Sequence, residues 1–201
     1  MRSTPWMVAA TLALSACNTP VTVTPDAPAL DSPMAPAFDP SVCRAVVVQP
    51  DFTSQGAMGE TLPGTVWNGP AVNPETGQPV IPAGSIVATT YLQLRPDPTS
   101  QRTFGEVGGR VFGALFTSRG LLAVATVTSS QCAVARTITV WESEEAMIGF
   151  VSSEAHSEAM VRVGEMSRGG SITTSFIANA SSDVAWPEIA RQFVGHSGPV
   201  Y

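Results

Sequence analysis

The sequence predicts an α+β domain built as strand, helix, strand, strand, helix, strand, and three observations predict it. Four runs rich in β-branched and aromatic residues lie between positions 84 and 180. Two stretches with apolar residues three and four positions apart separate the first run from the second and the third from the fourth. Pro, Gly and Ser stand at the junctions, where they stop one element or cap the next.

Residues 85–94, Ser-Ile-Val-Ala-Thr-Thr-Tyr-Leu-Gln-Leu, read as the first strand, closed by Pro96 and Pro98. Phe104, Val107, Val111 and Leu115 then recur at helical spacing, with Phe112 and Phe116 beside them. Gly105, Gly108, Gly109 and Gly113 each lower helix propensity by about 1 kcal/mol, which is expected where a helix approaches a sheet closely. Gly120 ends it. Residues 121–127 and 133–141 form an antiparallel hairpin about the turn Ser129-Ser130-Gln131. Ser143 caps the next helix, with Glu144 and Glu145 in its first turn, where carboxylates suit the helix dipole. Met147, Phe150 and Val151 are its apolar face. Ser152-Ser153 interrupts the pattern and Ala155, Ala159 and Val163 restart it, so a kink or new cap is expected near Ser153. Gly169-Gly170 stop the helix, residues 171–178 make the fourth strand, and a short helix on Ile189, Ala190 and Phe193 follows Trp186-Pro187. With each helix crossing between parallel strands, the order gives a ferredoxin-like four-stranded antiparallel sheet with both helices on one face.

Upstream of this domain, residues 84–201, the chain changes character. Residues 43–83 predict an irregular extension packed on the domain. Arg44-Ala45-Val46-Val47-Val48-Gln49 reads as a strand, and Glu75-Thr76-Gly77-Gln78 as a hairpin turn. Residues 18–42 carry Pro20, Pro25, Pro28, Pro33, Pro36 and Pro40 and read as a semi-rigid, disordered tether. Residues 1–17 read as an export signal: Arg2, then an apolar core too short to span a bilayer, then Leu14-Ser15-Ala16-Cys17. That ending resembles the lipobox of bacterial lipoproteins, which implies a lipidated, N-terminal Cys17 and a membrane anchor made of acyl chains. Asn18 in the following position, by the same resemblance, implies the outer membrane facing the periplasm in a diderm source.

Composition narrows the partners. Net charge is −6, and all ten cationic residues are arginine. Nucleic acid, which needs a basic footprint, is not an expected partner. With Cys17 consumed by lipidation, Cys43 and Cys132 remain. An oxidising compartment favours one disulfide between them, and two free thiols are the alternative. The two histidines, His156 and His196, are scattered and lack the spacing of a metal site.

Residues 137–151, Thr-Ile-Thr-Val-Trp-Glu-Ser-Glu-Glu-Ala-Met-Ile-Gly-Phe-Val, with Ser153-Glu154-Ala155-His156-Ser157-Glu158-Ala159-Met160 after them, resemble the dimeric α+β barrel superfamily, in particular its antibiotic-biosynthesis-monooxygenase-like domains. The resemblance implies a homodimer whose sheets pair into a barrel. It also implies a cleft between helices and sheet that His156 could face. Its known members include cofactor-free oxygenases, haem-degrading enzymes and proteins without known activity. Three functions are therefore expected. The first is a non-catalytic, membrane-anchored domain that binds a small apolar ligand without cofactor. The second is a monooxygenase-like enzyme, cofactor-free or haem-dependent, that uses His156. The third is a structural envelope protein that assembles through its sheet face.

Trp141, Tyr91 and Phe150 are the candidate pocket residues, with Arg136 and Thr139 able to point the same way. Trp141 also reads as a core residue whose N–H finds an internal partner. Glu142, Glu144, Glu145, Glu154 and Glu158 read as a solvated helix face. Ser157, next to His156 on a helix, points about 100° away and cannot pair with it as a nucleophile. No Gly-x-Ser-x-Gly, His-Glu-x-x-His or phosphate loop occurs.

Overall fold

A computed structural model describes residues 38–56 and 60–196. Cys17, the signal and most of the 18–42 tether lie outside the described residues. Among the described residues no helix is long and apolar enough to cross a membrane.

Four strands form the centre of the sheet. They are numbered after three shorter ones upstream: β4 (Ser85–Gln93), β5 (Leu121–Ser129), β6 (Val134–Trp141) and β7 (Ile172–Ala178). Their order is β7-β4-β6-β5 and every neighbouring pair is antiparallel. This is the ferredoxin-like sheet that the sequence predicts. The helical crossovers join β4 to β5 and β6 to β7, strands that are parallel and next but one.

Helix α1 (Pro98–Thr117) starts six residues before the first apolar position, Phe104. Pro98 is preorganised for the first helical turn, and the Asp97 carboxylate accepts the Ser100 N–H at 2.9 Å. Gly105, Gly109 and Gly113 do not serve a close approach to the sheet: they are exposed, and a Cβ on any of them would meet nothing within 4 Å. The second crossover is broken into α2 (Glu144–Val151), α3 (Glu154–Val161) and α4 (Val163–Met166). Ser143 and Ser153 cap α2 and α3 by accepting the N–H groups of Ala146 (3.2 Å) and His156 (3.3 Å). The interruption expected near Ser153 is therefore a new N-cap.

The extension is more ordered than the sequence predicts. It adds β1 (Thr53–Gln55), β2 (Thr61–Pro63) and β3 (Trp67–Asn68), with β1 and β3 pairing on the free edge of β5 and β2 on β1. The turn expected at 75–78 is present: Gly77 N–H donates to Asn73 O at 2.8 Å and Asn73 N–H to Gln78 O at 2.9 Å. Residues 44–49 are not a strand, despite their β-branched run. They are turns whose carbonyls serve side chains instead of a ladder. The Gln49 amide donates to the carbonyls of Val42, Arg44 and Val47 at 3.0, 3.1 and 2.8 Å.

Both sheet faces are covered, by different parts of the chain. Strand alternation sends Val87, Tyr91, Ala123, Val134, Ile138 and Val140 to one face. There Ala45, Ile81, Val184, Ile189 and Phe193, from the extension and from the segment containing α5 (Trp186–Arg191), close a core over them. The Cys43–Cys132 disulfide, Cα atoms 5.2 Å apart, pins the extension there. The extension thus lies behind the sheet rather than over its helical side. It fills the face that a barrel partner's sheet would need.

Arg136 sits in the middle of this layer, fully buried and, among the described residues, without a carboxylate partner. Its guanidinium donates to the carbonyls of Val47 (2.9 Å) and Ala45 (3.0 Å) and to Gln49 Oε1 (3.4 Å). The rings of Phe52, Tyr91, Trp186 and Phe193 surround it, centroids 5.3–5.9 Å from its central carbon. Burial lowers its pKa to about 10, and the Tyr91 hydroxyl group works the other way.

Candidate functional site

The helical side of the sheet encloses a cavity of about 560 Å³. Its floor is the even-numbered face of β4 and β5 and the odd-numbered face of β6 and β7. Register brings four threonines into one row across this floor, one from each central strand. Thr126 is opposite Thr137, Thr137 opposite Thr90, and Thr90 opposite Thr173. At strand spacing the row steps about 4.8 Å per residue. Thr90 and Thr173 share a hydrogen bond of 3.1 Å. Thr126 Oγ1 is buried and has no partner. An orphaned hydroxyl in an otherwise apolar wall costs about 1–3 kcal/mol unless something in the cavity meets it.

Val107, Val111 and Leu115 of α1 form one part of the roof, and Met147 and Phe150 of α2 another. Gly108 of α1 also faces the cavity, and a Cβ there would meet nothing within 4 Å. Its missing side chain is part of the cavity's volume. Among the described residues that line it there is no Asp, Glu, Lys or Arg. His156 is the one lining group that titrates near neutral pH.

Trp141, Phe150 and His156 stand in contact along one wall. Trp141 and Phe150 are stacked with centroids 5.4 Å apart, and Phe150 meets the His156 ring edge-on at 5.2 Å. Trp141 is fully buried, and its Nε1–H donates to Thr139 Oγ1 at 2.9 Å. The Thr139 hydroxyl in turn donates to Ala88 O at 3.3 Å, so both line the cavity with their N–H and O–H donors already engaged. His156 Nδ1 lies 3.1 Å from Val151 O. A carbonyl only accepts, so Nδ1 carries the proton and Nε2 is left as a bare acceptor. Burial lowers the His156 pKa, and the Val151 carbonyl opposes that only in part. The ring's place in the first turn of α3 also disfavours a positive charge.

The structure brings together three of the four residues that the sequence singles out: Trp141, Phe150 and His156 line one cavity. Tyr91 does not. It is an odd-numbered residue of β4 and faces the opposite side of the sheet, beside Arg136. Alternation separates it from Thr90 and Leu92, which do line the cavity. Arg136 lies on the Tyr91 side for the same reason. Cys43 and Cys132 are paired in a disulfide on the Tyr91 side of the sheet. The threonine row escapes the sequence reading because threonine in a strand registers only as β-propensity. Even the pair within one hairpin depends on the exact turn: a turn centred on Ser129-Ser130-Gln131 would set Thr126 opposite Val134, whereas β5 runs on to Ser129 and turns at 130–133, which places Thr126 opposite Thr137.

Among the described residues no three His, Cys, Asp or Glu side chains are grouped to hold a metal ion. Haem does not fit the donor set either. Its carboxylates would meet a lining without Arg or Lys, although Nε2 of His156 is free to ligate.

No family model matches this chain, and no curated protein matches it. Solved structures do align with part of it. Rv0793 from Mycobacterium tuberculosis is 13% identical, with a TM-score of 0.42 over 46% of this chain and 92% of its own. SnoaB, a cofactor-independent oxygenase from Streptomyces nogalater, is 14% identical, with a TM-score of 0.41 over 48% and 95%. Protein SO0527 from Shewanella oneidensis is 8% identical, with a TM-score of 0.43 over 49% and 94%.

Proposed function

We propose that this protein is an exported, lipid-anchored envelope protein that binds a neutral, largely apolar small molecule in the cavity between sheet and helices, without transforming it. The observation that carries the binding role is the buried, unpartnered hydroxyl of Thr126, set in a row of threonines on the floor of an uncharged cavity. A cavity of this size and lining suits a small ligand that is held by apolar contact and oriented by a few hydrogen bonds. The Cys43–Cys132 disulfide supports export, because such bonds persist in oxidising compartments. The lipobox-like Leu14-Ser15-Ala16-Cys17 supports the anchor. A homodimer of this chain would need a surface other than the covered sheet face, which also removes support from assembly through that face. Light scattering over a concentration range measures whether such a dimer forms.

The test compares two neutral fluorescent probes, 1-naphthol and naphthalene, on the full chain. Both should bind saturably, and 1-naphthol more tightly by the value of one hydrogen bond, about two- to tenfold. Thr126→Val should erase that preference while leaving naphthalene binding intact. Absence of saturable binding by either probe would reject the reading.

The alternative is a monooxygenase-like enzyme without cofactor. The observation that favours it is His156 Nε2, held unprotonated beside the cavity and able to take a proton from an acidic hydroxyl of a bound substrate. Oxygen uptake with 1,5-dihydroxynaphthalene, lost in His156→Gln, would establish it; no uptake above buffer would exclude it for that substrate class.

A further inference from the structure

A second cavity, of about 290 Å³, opens between the extension and the C-terminal segment, where Trp67 of β3 and Trp186 of α5 face the same space. Thr65, Gln78, Pro79 and Ser181 complete the lining that matters here, and no charged side chain among the described residues lines it. We propose that it is a binding site for a proline-rich, extended peptide.

Trp186 is a fixed plate. Its Nε1–H donates to Thr65 Oγ1 at 2.7 Å, and it packs on the Phe52 ring at 5.1 Å and over the Arg136 guanidinium at 5.3 Å. An aromatic surface whose rotamer is already fixed loses little entropy when a ligand lands on it. Trp67 is half-buried, set by β3 pairing with β5.

The polar groups are biased towards donation. Thr65 Oγ1 accepts from Trp186, and Ser181 Oγ accepts the Ile81 N–H at 2.9 Å. Each hydroxyl thus uses an acceptor lone pair internally and keeps its proton to give. Among the described residues, nothing accepts from the Trp67 N–H or engages the Gln78 side-chain amide. Four donating groups, against one free side-chain amide oxygen on Gln78, stand beside two indoles and fit a ligand that is apolar on its faces and mainly accepts. Consecutive prolines meet both conditions: the residue has no N–H, its carbonyls stay free in the polyproline II helix, and its ring packs on indole. Saccharide hydroxyls donate as often as they accept, and the described residues of this site offer them no carboxylate.

The experiment follows the indole N–H signals of Trp67 and Trp186 in the ¹⁵N-labelled full chain during titration with octaproline, octaglycine or maltose. Octaproline should shift both signals saturably, and octaglycine should not. Gln78→Ala should weaken binding about two- to tenfold, and Trp67→Ala by more than about tenfold. The exposed Gln78 side chain has no internal partner, so its variant decides the matter even where Trp67→Ala disturbs folding. No saturable shift, equal shifts with octaglycine, or affinity unchanged in Gln78→Ala would overturn the proposal. Shifts with maltose in place of octaproline would overturn it in favour of a saccharide site.

Discussion

The His156 ring meets the Phe150 ring edge-on, centroids 5.2 Å apart, and it does so because two serines break one helix into two. Phe150 is in the last turn of α2. Ser153 starts α3 by accepting the His156 N–H, which turns the imidazole back onto α2, where its Nδ1 reaches Val151 O. Had the helix run straight through, His156 could not have folded back on the Val151 carbonyl. The pair links a local sequence signal, Ser-Ser before Glu-Ala-His, to an unprotonated nitrogen beside a cavity.

Stability should fall with acid through His156. Its pKa is lowered in the folded protein and stands at the ordinary 6.5 in the unfolded chain. Below 6.5 the unfolded chain therefore binds more protons, and stability declines with falling pH until the folded-state pKa is passed. Urea unfolding at a series of pH values between 4.5 and 7.5 should show this slope, and His156→Gln should flatten it. An unchanged slope in His156→Gln would show that another group carries the acid sensitivity.

The glycines of α1 should separate stability from binding. Gly109 is exposed with open space around its Cβ position, so Gly109→Ala should stabilise by up to about 1 kcal/mol and leave naphthalene binding alone. Gly108 faces the cavity, also with open space, so Gly108→Leu should fold normally and fill volume that a ligand would use. Naphthalene affinity should drop by more than about tenfold, with no loss in melting temperature. Wild-type affinity in Gly108→Leu would place the probe elsewhere.

The contrast between α1 and residues 44–49 shows what sequence can carry. Capping serines, the antiparallel pairing of 121–127 with 133–141 and the apolar spacing of α1 are local signals, and the structure follows them, although the turn expected at 129–131 lies at 130–133. The Arg44–Gln49 run fails as a strand for non-local reasons: Arg136, far along the chain, takes the carbonyls of Ala45 and Val47, and Cys132 holds Cys43. Tyr91 fails as a cavity residue through parity alone. Its β-propensity places it in a strand, but the face it takes depends on which side of β4 the helices cover. The threonine row needs the register of all four central strands and is visible only once they are paired.

Removing the Arg136 guanidinium should loosen the extension selectively. Arg136→Met keeps much of the stem volume but takes the guanidinium donor from the Ala45 carbonyl and leaves the Val47 carbonyl with the Gln49 amide alone, inside a ring of four aromatics. The expected loss is on the order of 2–4 kcal/mol by denaturant unfolding. Amide exchange should accelerate around residues 44–52 and much less in β4 and β6. Uniform acceleration over the whole sheet would mean that the layer and sheet unfold as one unit.

Breaking the disulfide should act on the same layer by a different route. The Cys43–Cys132 bond closes a loop 89 residues long, for which the chain-entropy account gives roughly 4–5 kcal/mol of stabilisation. Cys43→Ser with Cys132→Ser should lose somewhat less than this, because β1 and β3 still pair with β5 and Arg136 still holds its carbonyls. The destabilised layer covers Val87, Ile138 and Val140, and its opening exposes them. An apolar dye should therefore bind the double variant well below its melting temperature, while Thr126-dependent discrimination between 1-naphthol and naphthalene on the other face persists. The double variant combined with Arg136→Met should lose more than the sum of the separate losses, since either tie partly compensates for the other. Strict additivity would show that the disulfide and the guanidinium hold separate structures, and the layer behind the sheet would then have no common lock.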